Sequence, residues 1–190
     1  MNTQEATAES REPLAVTKRL AIIFADLAGT SSVAATVGDL GVAGALQAFF
    51  RRVDHLQTGY HGRIIKTFGD GFLALFEDVV PALHFAIALQ RSLAQEPLLA
   101  GQRMALRISL HLGSVTLMET SYGGDAFGAD INVAAHLERQ AQPGQIVVSE
   151  AVCQALPTAQ QALLGPSEHV SVKGLRDPVA FRRLDVGEGE

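Results

Sequence analysis

Two aspartates stand where a metal site could form. Asp26 ends the apolar run of residues 20–25, and Asp70 lies in a Gly-Asp-Gly turn between residues 63–67 and 72–76. If these segments are neighbouring strands, the two carboxylates approach each other, and a cation relieves the cost of placing two anions together. Carboxylate oxygens suit Mg²⁺ or Mn²⁺. The alternative is that Asp26 caps the following turn and Asp70 only supplies turn chemistry.

A loop of small residues follows Asp26 and leads towards a helix. It contains Gly29 and Thr30, and a loop of this kind can direct backbone N–H groups at a phosphate. An ordinary strand-to-helix connection with Ser or Thr as N-cap is the alternative.

The elements that must position these residues follow from the apolar pattern. Residues 20–25 lack polar alternation, which predicts a central strand, and Asp-Gly between residues 63–67 and 72–76 predicts a hairpin with Asp70 at its tip. The other predicted elements are helices at 39–58, 80–93, 131–140 and 151–156, a strand at 104–112 with a paired strand at 115–119, and strands at 145–148, 169–172 and 179–184. The order β-α-β-β-α-β predicts an α+β fold with a ferredoxin-like core and appended C-terminal elements.

Composition bounds the organisation and the partners. The 190 residues, 47% of them hydrophobic, suffice for one domain, which we place at residues 19–186 after a flexible polar tail at residues 1–18. The net charge of −5 argues against nucleic acid as a partner, and the apolar runs are too short to span a membrane. The single cysteine, Cys153, excludes an intrachain disulfide, and the polar N-terminus lacks a signal peptide, so we expect a cytoplasmic protein.

Several spaced segments resemble the class III nucleotidyl cyclases, and they occur in that family's order. The resemblance extends over about residues 19–184, and agreement of several motifs is more specific than any one of them. The segments that carry it are residues 23–30, 65–70, 106–113, 125–128 and 132–135. It implies the class III cyclase catalytic fold.

The resemblance also implies roles for individual residues. Singly, each residue also permits a purely structural interpretation, such as a solvated strand charge for Lys66 or turn chemistry for Asp125. By position, Asp26 and Asp70 match the family's ligands of two divalent metal ions, and Arg107 matches a contact to the triphosphate. Lys66 and Asp125 match the pair that reads the base, and Asn132 matches the residue that orients the ribose. Lys173 matches a lysine near the phosphates, and Gly29 and Thr30 belong to the substrate-binding loop.

The reaction implied is the attack of the ribose 3′-hydroxyl on the α-phosphate of a nucleoside triphosphate, with pyrophosphate leaving. The protein then has to position the substrate and neutralise charge. Family members work as head-to-tail dimers in which one subunit supplies the metal ligands and the other the base- and ribose-binding residues. A chain that holds both sets is therefore expected to form a homodimer with two equivalent sites.

One position departs from the family pattern. The family's helix usually carries Asn-x-x-x-Arg, whereas Asn132 is followed four residues later by His136. Imidazole has fewer donors than guanidinium and is largely neutral near pH 7, so we expect a loss in rate on the order of 10²–10³. Arg139, one turn further along the helix, is a candidate to reach into the gap.

Three functions remain as alternatives. Because Lys66 and Asp125 match an adenine-reading pair, the leading hypothesis is an enzyme that converts ATP to its 3′,5′-cyclic monophosphate. Small free-standing relatives include the anti-phage pyrimidine cyclases, which make cyclic UMP or cyclic CMP. The rival from another class is a catalytically silent nucleotide-binding module, which His136 favours and the paired carboxylates oppose. A structural or RNA-binding ferredoxin-like domain would need exposed aromatic residues and a basic surface, which the composition disfavours.

Overall fold

The described part of the chain folds around one mixed β-sheet. The structure is a computed structural model, and it describes residues 15–99, 104–120 and 123–186. The strands are β1 (Val16–Ala28), β2 (Arg63–Phe68), β3 (Gly71–Phe76), β4 (Ala105–Thr120), β5 (Gly123–Phe127), β6 (Gln145–Ser149), β7 (Glu168–Val170) and β8 (Val179–Asp185). The helices are α1 (Thr30–Gly59), α2 (Val79–Gln95), α3 (Ala129–Glu138), α4 (Glu150–Ala155) and α5 (Thr158–Gln161).

The predicted α+β fold with a ferredoxin-like core is confirmed. Strand order along the sheet is β2-β3-β1-β4-β6-β8-β7, and β5 pairs with β4 beside this path. The first four strands are the βαββαβ core, in which β1 is central and runs antiparallel to both β3 and β4. Strands β6, β8 and β7 are the appended elements, and β6 joins β4 in parallel.

Alternating residues of the central strands build a separate apolar layer on each face of the sheet. On one face, residues such as Ile23, Phe72 and Ile108 are fully buried against α1 and α2. On the other face, Ile22 and Leu73 pack with residues of α3. Because side chains alternate along a strand, Asp26 lies on the same face of β1 as Ile22, which is the α3 face.

The two strands predicted at 104–112 and 115–119 form one strand. Residues 105–120 are continuous in β4, whose distal half pairs with β5 instead of with its own proximal half. Gly113 lies in the predicted gap between the two strands, and its lack of a side chain leaves room for a neighbouring carboxylate, because a Cβ atom there would lie 2.3 Å from Cγ of Asp130. The prediction of a hairpin within this region was therefore wrong.

Two N-terminal boundaries also differ from the prediction. Strand β1 begins at Val16, because backbone pairing with Leu117 continues through polar residues that show no apolar pattern, so the predicted tail includes three strand residues. Residues 1–14 of that tail lie outside the described residues. Helix α1 begins at Thr30 and not at residue 39, and it is interrupted at Gly38, where φ is 71° and ψ is 173°.

Helix α1 also changes the expectation about membrane spans. Within the described residues it is one helix whose length and composition alone would suffice to cross a membrane, with a mean hydropathy of 1.4 in its 18-residue window, 17% of which is buried. The length of uninterrupted apolar stretches did not reveal this helix, because Gly38, Asp39 and Gln47 divide its apolar residues into short runs. Core helices of soluble proteins meet the same criterion, so the helix is weak evidence for a membrane span.

Candidate active site

The sheet brings Asp26 and Asp70 to one place. Asp26 lies near the end of β1, directly opposite Gly71 of β3 and Arg107 of β4. Asp70 immediately precedes β3 in the β2–β3 turn, so it stands beside Asp26. Together with Arg107, the two aspartates line an open pocket of about 560 Å³, to which residues 27–32 and Pro143 also contribute.

The electrostatics of this pocket are those of two crowded carboxylates. Burial raises the pKa of Asp26 above its ordinary 3.8, and the charge of Asp70 raises it further. Arg107 opposes this rise by donating a hydrogen bond from its terminal guanidinium nitrogen to Asp26 Oδ2. On the other side, the Thr30 hydroxyl donates to Asp70 Oδ2. One guanidinium and one hydroxyl therefore hold the two acids in place.

The predicted loop after Asp26 is shorter than expected, because β1 continues to Ala28 and Gly29 alone joins it to the N-terminus of α1. Gly29 is the N-cap with φ of 93°, a left-handed conformation that favours glycine, and its carbonyl accepts hydrogen bonds from the Ser32 hydroxyl at 2.8 Å and the Val33 N–H at 3.0 Å. The N–H groups of residues 30–32 belong to the first turn of a helix and therefore have no partner within it. Because these residues line the same pocket as the aspartates, the site offers backbone donors to an anion.

The donor set of the pocket fits a hard divalent cation. Asp26 and Asp70 supply carboxylate oxygens, and the pKa of Asp26 is raised first by burial and then by the charge of Asp70, both of which a bound cation would offset. No cluster of three or more His, Cys, Asp or Glu side chains suited to a metal is found within residues 15–99, 104–120 and 123–186. Two carboxylates are nevertheless sufficient for Mg²⁺, which commonly takes its other ligands from water and substrate phosphates.

Sequence reasoning missed Glu138, which lies against Arg107. The Arg107 Nε and Glu138 Oε1 atoms are 3.1 Å apart, and the Glu138 side chain is 13% exposed. Burial raises the pKa of Glu138 above its ordinary 4.5, while the charge of Arg107 lowers it. Glu138 lies four residues after Ala134 and eight after Asp130, on the face of α3 that meets β4. That spacing could have identified Glu138, but only once β4 and α3 were known to be packed together.

Two further contacts join β4 to α3. The Ser109 hydroxyl, fully buried, donates to the Ala134 carbonyl at 2.7 Å, and His111 Nε2 lies 3.4 Å from Asp130 Oδ1. Burial lowers the pKa of His111, an effect that Asp130 partly opposes. Arg107, Ser109 and His111 are alternate residues on one face of β4. Their partners on α3 are spaced four residues apart. We call these three contacts the β4–α3 seam: Arg107 with Glu138, Ser109 with Ala134, and His111 with Asp130.

The structure also brings Lys66 and Asp125 together. Lys66 Nζ donates to Asp125 Oδ1 at 2.7 Å and lies 5.9 Å from the ring centroid of Phe127, whose side chain is among the exposed hydrophobic ones. The hydrogen bond from Lys66 is the main reason that the pKa of Asp125 lies below its ordinary 3.8. Neither Lys66 nor Asp125 lines the pocket that holds Asp26. The charged pair and the aromatic ring thus form a second polar cluster on the same chain.

The remaining predicted site residues do not line the aspartate pocket. Asn132 is exposed and His136 half-buried on α3, while Arg139 is exposed at the C-cap of that helix. Lys173 is exposed in a turn between β7 and β8. Within one chain, therefore, the structure groups Asp26, Asp70, Gly29, Thr30 and Arg107 but leaves the other predicted residues elsewhere.

Comparison with known proteins relates most of the described fold to one family. Residues 14–182 match the family model described as the adenylate and guanylate cyclase catalytic domain. An adenylate cyclase of Glutamicibacter nicotianae is 27% identical over 169 residues, which cover 89% of this chain and 40% of that protein. Putative adenylate cyclase 3 of Rhizobium meliloti is 31% identical over 137 residues, which cover 70% of this chain and 23% of that protein. The chain thus spans less than half the length of these relatives.

A solved structure shares the fold of this chain. The crystal structure of the guanylyl cyclase Cya2 superimposes with a TM-score of 0.78 over 89% of this chain and 92% of that chain. The identity is 22%, so this similarity bears on the fold alone.

Proposed function

The chain belongs to the adenylate and guanylate cyclase catalytic domain family, and on that premise we propose that it converts a nucleoside triphosphate, in the first place ATP, to the 3′,5′-cyclic monophosphate and pyrophosphate. The observation that carries the proposal is the shared pocket of Asp26, Asp70, Arg107 and the first turn of α1. Two carboxylates, one guanidinium and a set of backbone N–H groups are the donors that a metal-bound triphosphate requires.

Each group in the pocket has a separate task. Asp26 and Asp70 would hold two divalent ions, Mg²⁺ or Mn²⁺, which supply charge neutralisation and lower the pKa of the attacking 3′-hydroxyl. Arg107 presents its guanidinium to the phosphates, and the N–H groups at the start of α1 add further donors. In the reaction the 3′-oxygen forms a bond to the α-phosphorus, the bond to the bridging oxygen breaks, pyrophosphate leaves and the hydroxyl proton passes to solvent.

We assign reading of the base to Lys66 and Asp125, which the structure holds 2.7 Å apart. A cationic donor and an anionic acceptor side by side match the ring nitrogen and the exocyclic amine of adenine. The two relatives reported above, both named as adenylate cyclases, support ATP as the substrate. A pyrimidine triphosphate is the alternative that the product assay has to distinguish.

The arrangement of the residues supports a head-to-tail homodimer. Lys66, Asp125, Asn132 and Lys173 do not line the pocket of the same chain, so a second copy has to bring its own set to that pocket. Mixing two inactive variants tests this. Asp26→Ala removes one half of each site and Asn132→Ala removes the other, and a mixed dimer then retains one intact site. Activity should return on mixing, whereas two variants that stay inactive together would contradict a shared site.

A catalytically silent nucleotide-binding module is the second candidate, and His136 is the observation that favours it. The side chain stands four residues after Asn132 on α3, where the resemblance leads us to expect an arginine. Such a module would bind the triphosphate without turning it over.

One assay separates these candidates. Purified protein is incubated with Mn²⁺ and with ATP, GTP, CTP or UTP separately, and the products are identified by mass spectrometry. Cyclic AMP as the main product supports the proposal, and cyclic UMP or cyclic CMP would replace ATP by a pyrimidine substrate. Binding of ATP without any cyclic product would overturn the enzyme assignment, and Asp26→Asn serves as the metal-site control.

A further inference from the structure

Arg107 stands between two carboxylates that contact different parts of its guanidinium. Its terminal nitrogen donates to Asp26, and its Nε lies 3.1 Å from Glu138 Oε1. The second contact is an ion pair without hydrogen-bond alignment, and neither of its two buried atoms has another hydrogen-bond partner. Leaving buried polar atoms without a hydrogen-bond partner costs free energy, so a movement of Arg107 that aligns Nε with Glu138 Oε1 would be favourable.

In the proposed function, a metal ion competes with Arg107 for the Asp26 carboxylate. A cation that engages Asp26 takes the carboxylate that now holds the terminal nitrogen of Arg107. The terminal N–H groups of the guanidinium can then donate hydrogen bonds to phosphate oxygens, in a geometry that the planar group fixes. Glu138 is the partner that remains on Nε, and it therefore decides where the freed end points.

Glu138 is well placed for this task because its helix is anchored along its length. The other two contacts of the β4–α3 seam, Ser109 with Ala134 at 2.7 Å and His111 with Asp130 at 3.4 Å, fix α3 against the strand that carries Arg107. The Asp130 carboxylate also accepts the Ser114 N–H at 2.6 Å. Glu138 is consequently a largely buried acid on an anchored helix, not an exposed surface acid.

We propose that Glu138 is a positioning residue: through its ion pair with Arg107 Nε it aims the guanidinium at the β- and γ-phosphates of the bound triphosphate. This inference rests on the proposed function of the same pocket. Glu138 touches neither substrate nor metal in this assignment and acts entirely through Arg107. Its effect should therefore be seen with a triphosphate and be absent with a monophosphate.

The test measures binding, so that it does not depend on turnover. The probes are 3′-deoxy-ATP, which lacks the attacking hydroxyl, and 3′-deoxy-AMP, each titrated calorimetrically with Mn²⁺ present. Glu138→Ala should weaken 3′-deoxy-ATP binding by about tenfold and Glu138→Gln by about threefold, because a neutral amide oxygen can accept a hydrogen bond from Nε in the bound state but lacks the charge of the carboxylate. Binding of 3′-deoxy-AMP should be unchanged in both variants.

A double-mutant cycle with Arg107→Ala isolates the route of the effect. If Glu138 acts through Arg107, the Glu138→Ala substitution costs nothing further in the Arg107→Ala background. Glu150 provides the matched control, since it forms a comparable, partly buried pair with Arg182 at 3.0 Å away from the pocket. Glu150→Ala should leave the affinity for both nucleotides unchanged.

Several outcomes would overturn the inference. They are an equal loss for both nucleotides, full additivity with Arg107→Ala, the same loss in Glu150→Ala, and the failure of wild-type protein to bind 3′-deoxy-ATP. Glu138→Gln preserves side-chain volume, and its circular dichroism and melting temperature show whether the fold is intact. A wild-type protein that binds in the expected pattern but makes no cyclic product would refute the cyclase proposal and leave the role of Glu138 standing.

Discussion

Replacing Asp70 by Asn should stabilise the metal-free protein while removing its response to metal. The substitution keeps an oxygen that can accept the Thr30 hydroxyl, so the contact at the start of α1 is preserved. It removes the negative charge that helps to raise the pKa of Asp26. The expected result is opposite in sign to that of most substitutions at a partly buried polar contact.

The magnitude follows from the charges in the pocket. Two unit charges in close proximity repel by up to about 4 kcal/mol at an effective dielectric constant near 20, and Arg107 and the open side of the pocket reduce the repulsion between these two carboxylates to about 1–2 kcal/mol. For a domain of this size that corresponds to a rise in melting temperature of about 2–8 °C. Since the pKa of Asp26 is raised in the folded state, ionising Asp26 lowers the free energy of unfolding. This cost is absent below the ordinary value of 3.8, grows as pH rises from 3.8 to the raised value, and is constant above it. The gain in Asp70→Asn should therefore be present at pH 7 and disappear below pH 3.8.

Thermal unfolding with and without metal measures this directly. In chelator at pH 7, Asp70→Asn should melt above the wild type, whereas millimolar Mn²⁺ should raise the melting temperature of the wild type alone. Asp54→Asn makes the same charge change at an exposed position on α1 and should alter neither value. A lower melting temperature of Asp70→Asn in chelator, or equal stabilisation of both proteins by Mn²⁺, would refute the reasoning.

Three further predictions concern the base, the seam and the rate. Asp125→Asn should lower the preference for ATP over GTP by about tenfold, measured as the ratio of kcat/KM values, because the anionic partner of Lys66 is lost; an unchanged ratio would contradict that role. Ser109→Ala should lower the melting temperature by about 2–4 °C, because it removes a buried hydrogen bond worth about 1 kcal/mol, and a melting temperature equal to that of the wild type would argue against the seam. His136→Arg should raise kcat by about 10–100-fold with little change in KM, because a fixed charge is added near the α-phosphate; a lower kcat would show that the histidine is not a weaker substitute.

The core of the fold was accessible to sequence reasoning, and the exception at Gly113 has a non-local cause. The unbroken apolar run of residues 20–25 and the Asp-Gly turn at Asp70 identified the central strand and the hairpin, because burial on both faces and tight turns leave strong local signals. The predicted break between residues 112 and 115 was wrong, because β4 continues through Gly113, where the lack of a side chain leaves room for Asp130. Such a reason lies in a residue 17 positions away and leaves no local pattern.

The same distinction applies to the site. Asp26 could be placed at a strand end from the sequence, and the position of Asp70 in the turn followed from local chemistry. The contact of Glu138 with Arg107 could not, because it depends on the packing of α3 against β4. Motif resemblance supplied Lys66 and Asp125, whose pairing in space requires β5 to lie close to β2, which no pattern within either strand indicates.

The charges around the pocket lead us to expect that metal ions bind before the triphosphate. Asp26, Asp70 and Glu138 carry three negative charges when ionised, and Arg107 supplies one positive charge, so these four side chains sum to −2. The N-terminus of α1 offsets only about half a charge of this. A triphosphate, itself strongly anionic, is therefore repelled by the pocket until cations occupy the two aspartates. We accordingly expect the affinity for a triphosphate in chelator to be weak, and its dependence on metal to be lost together with Asp26 or Asp70.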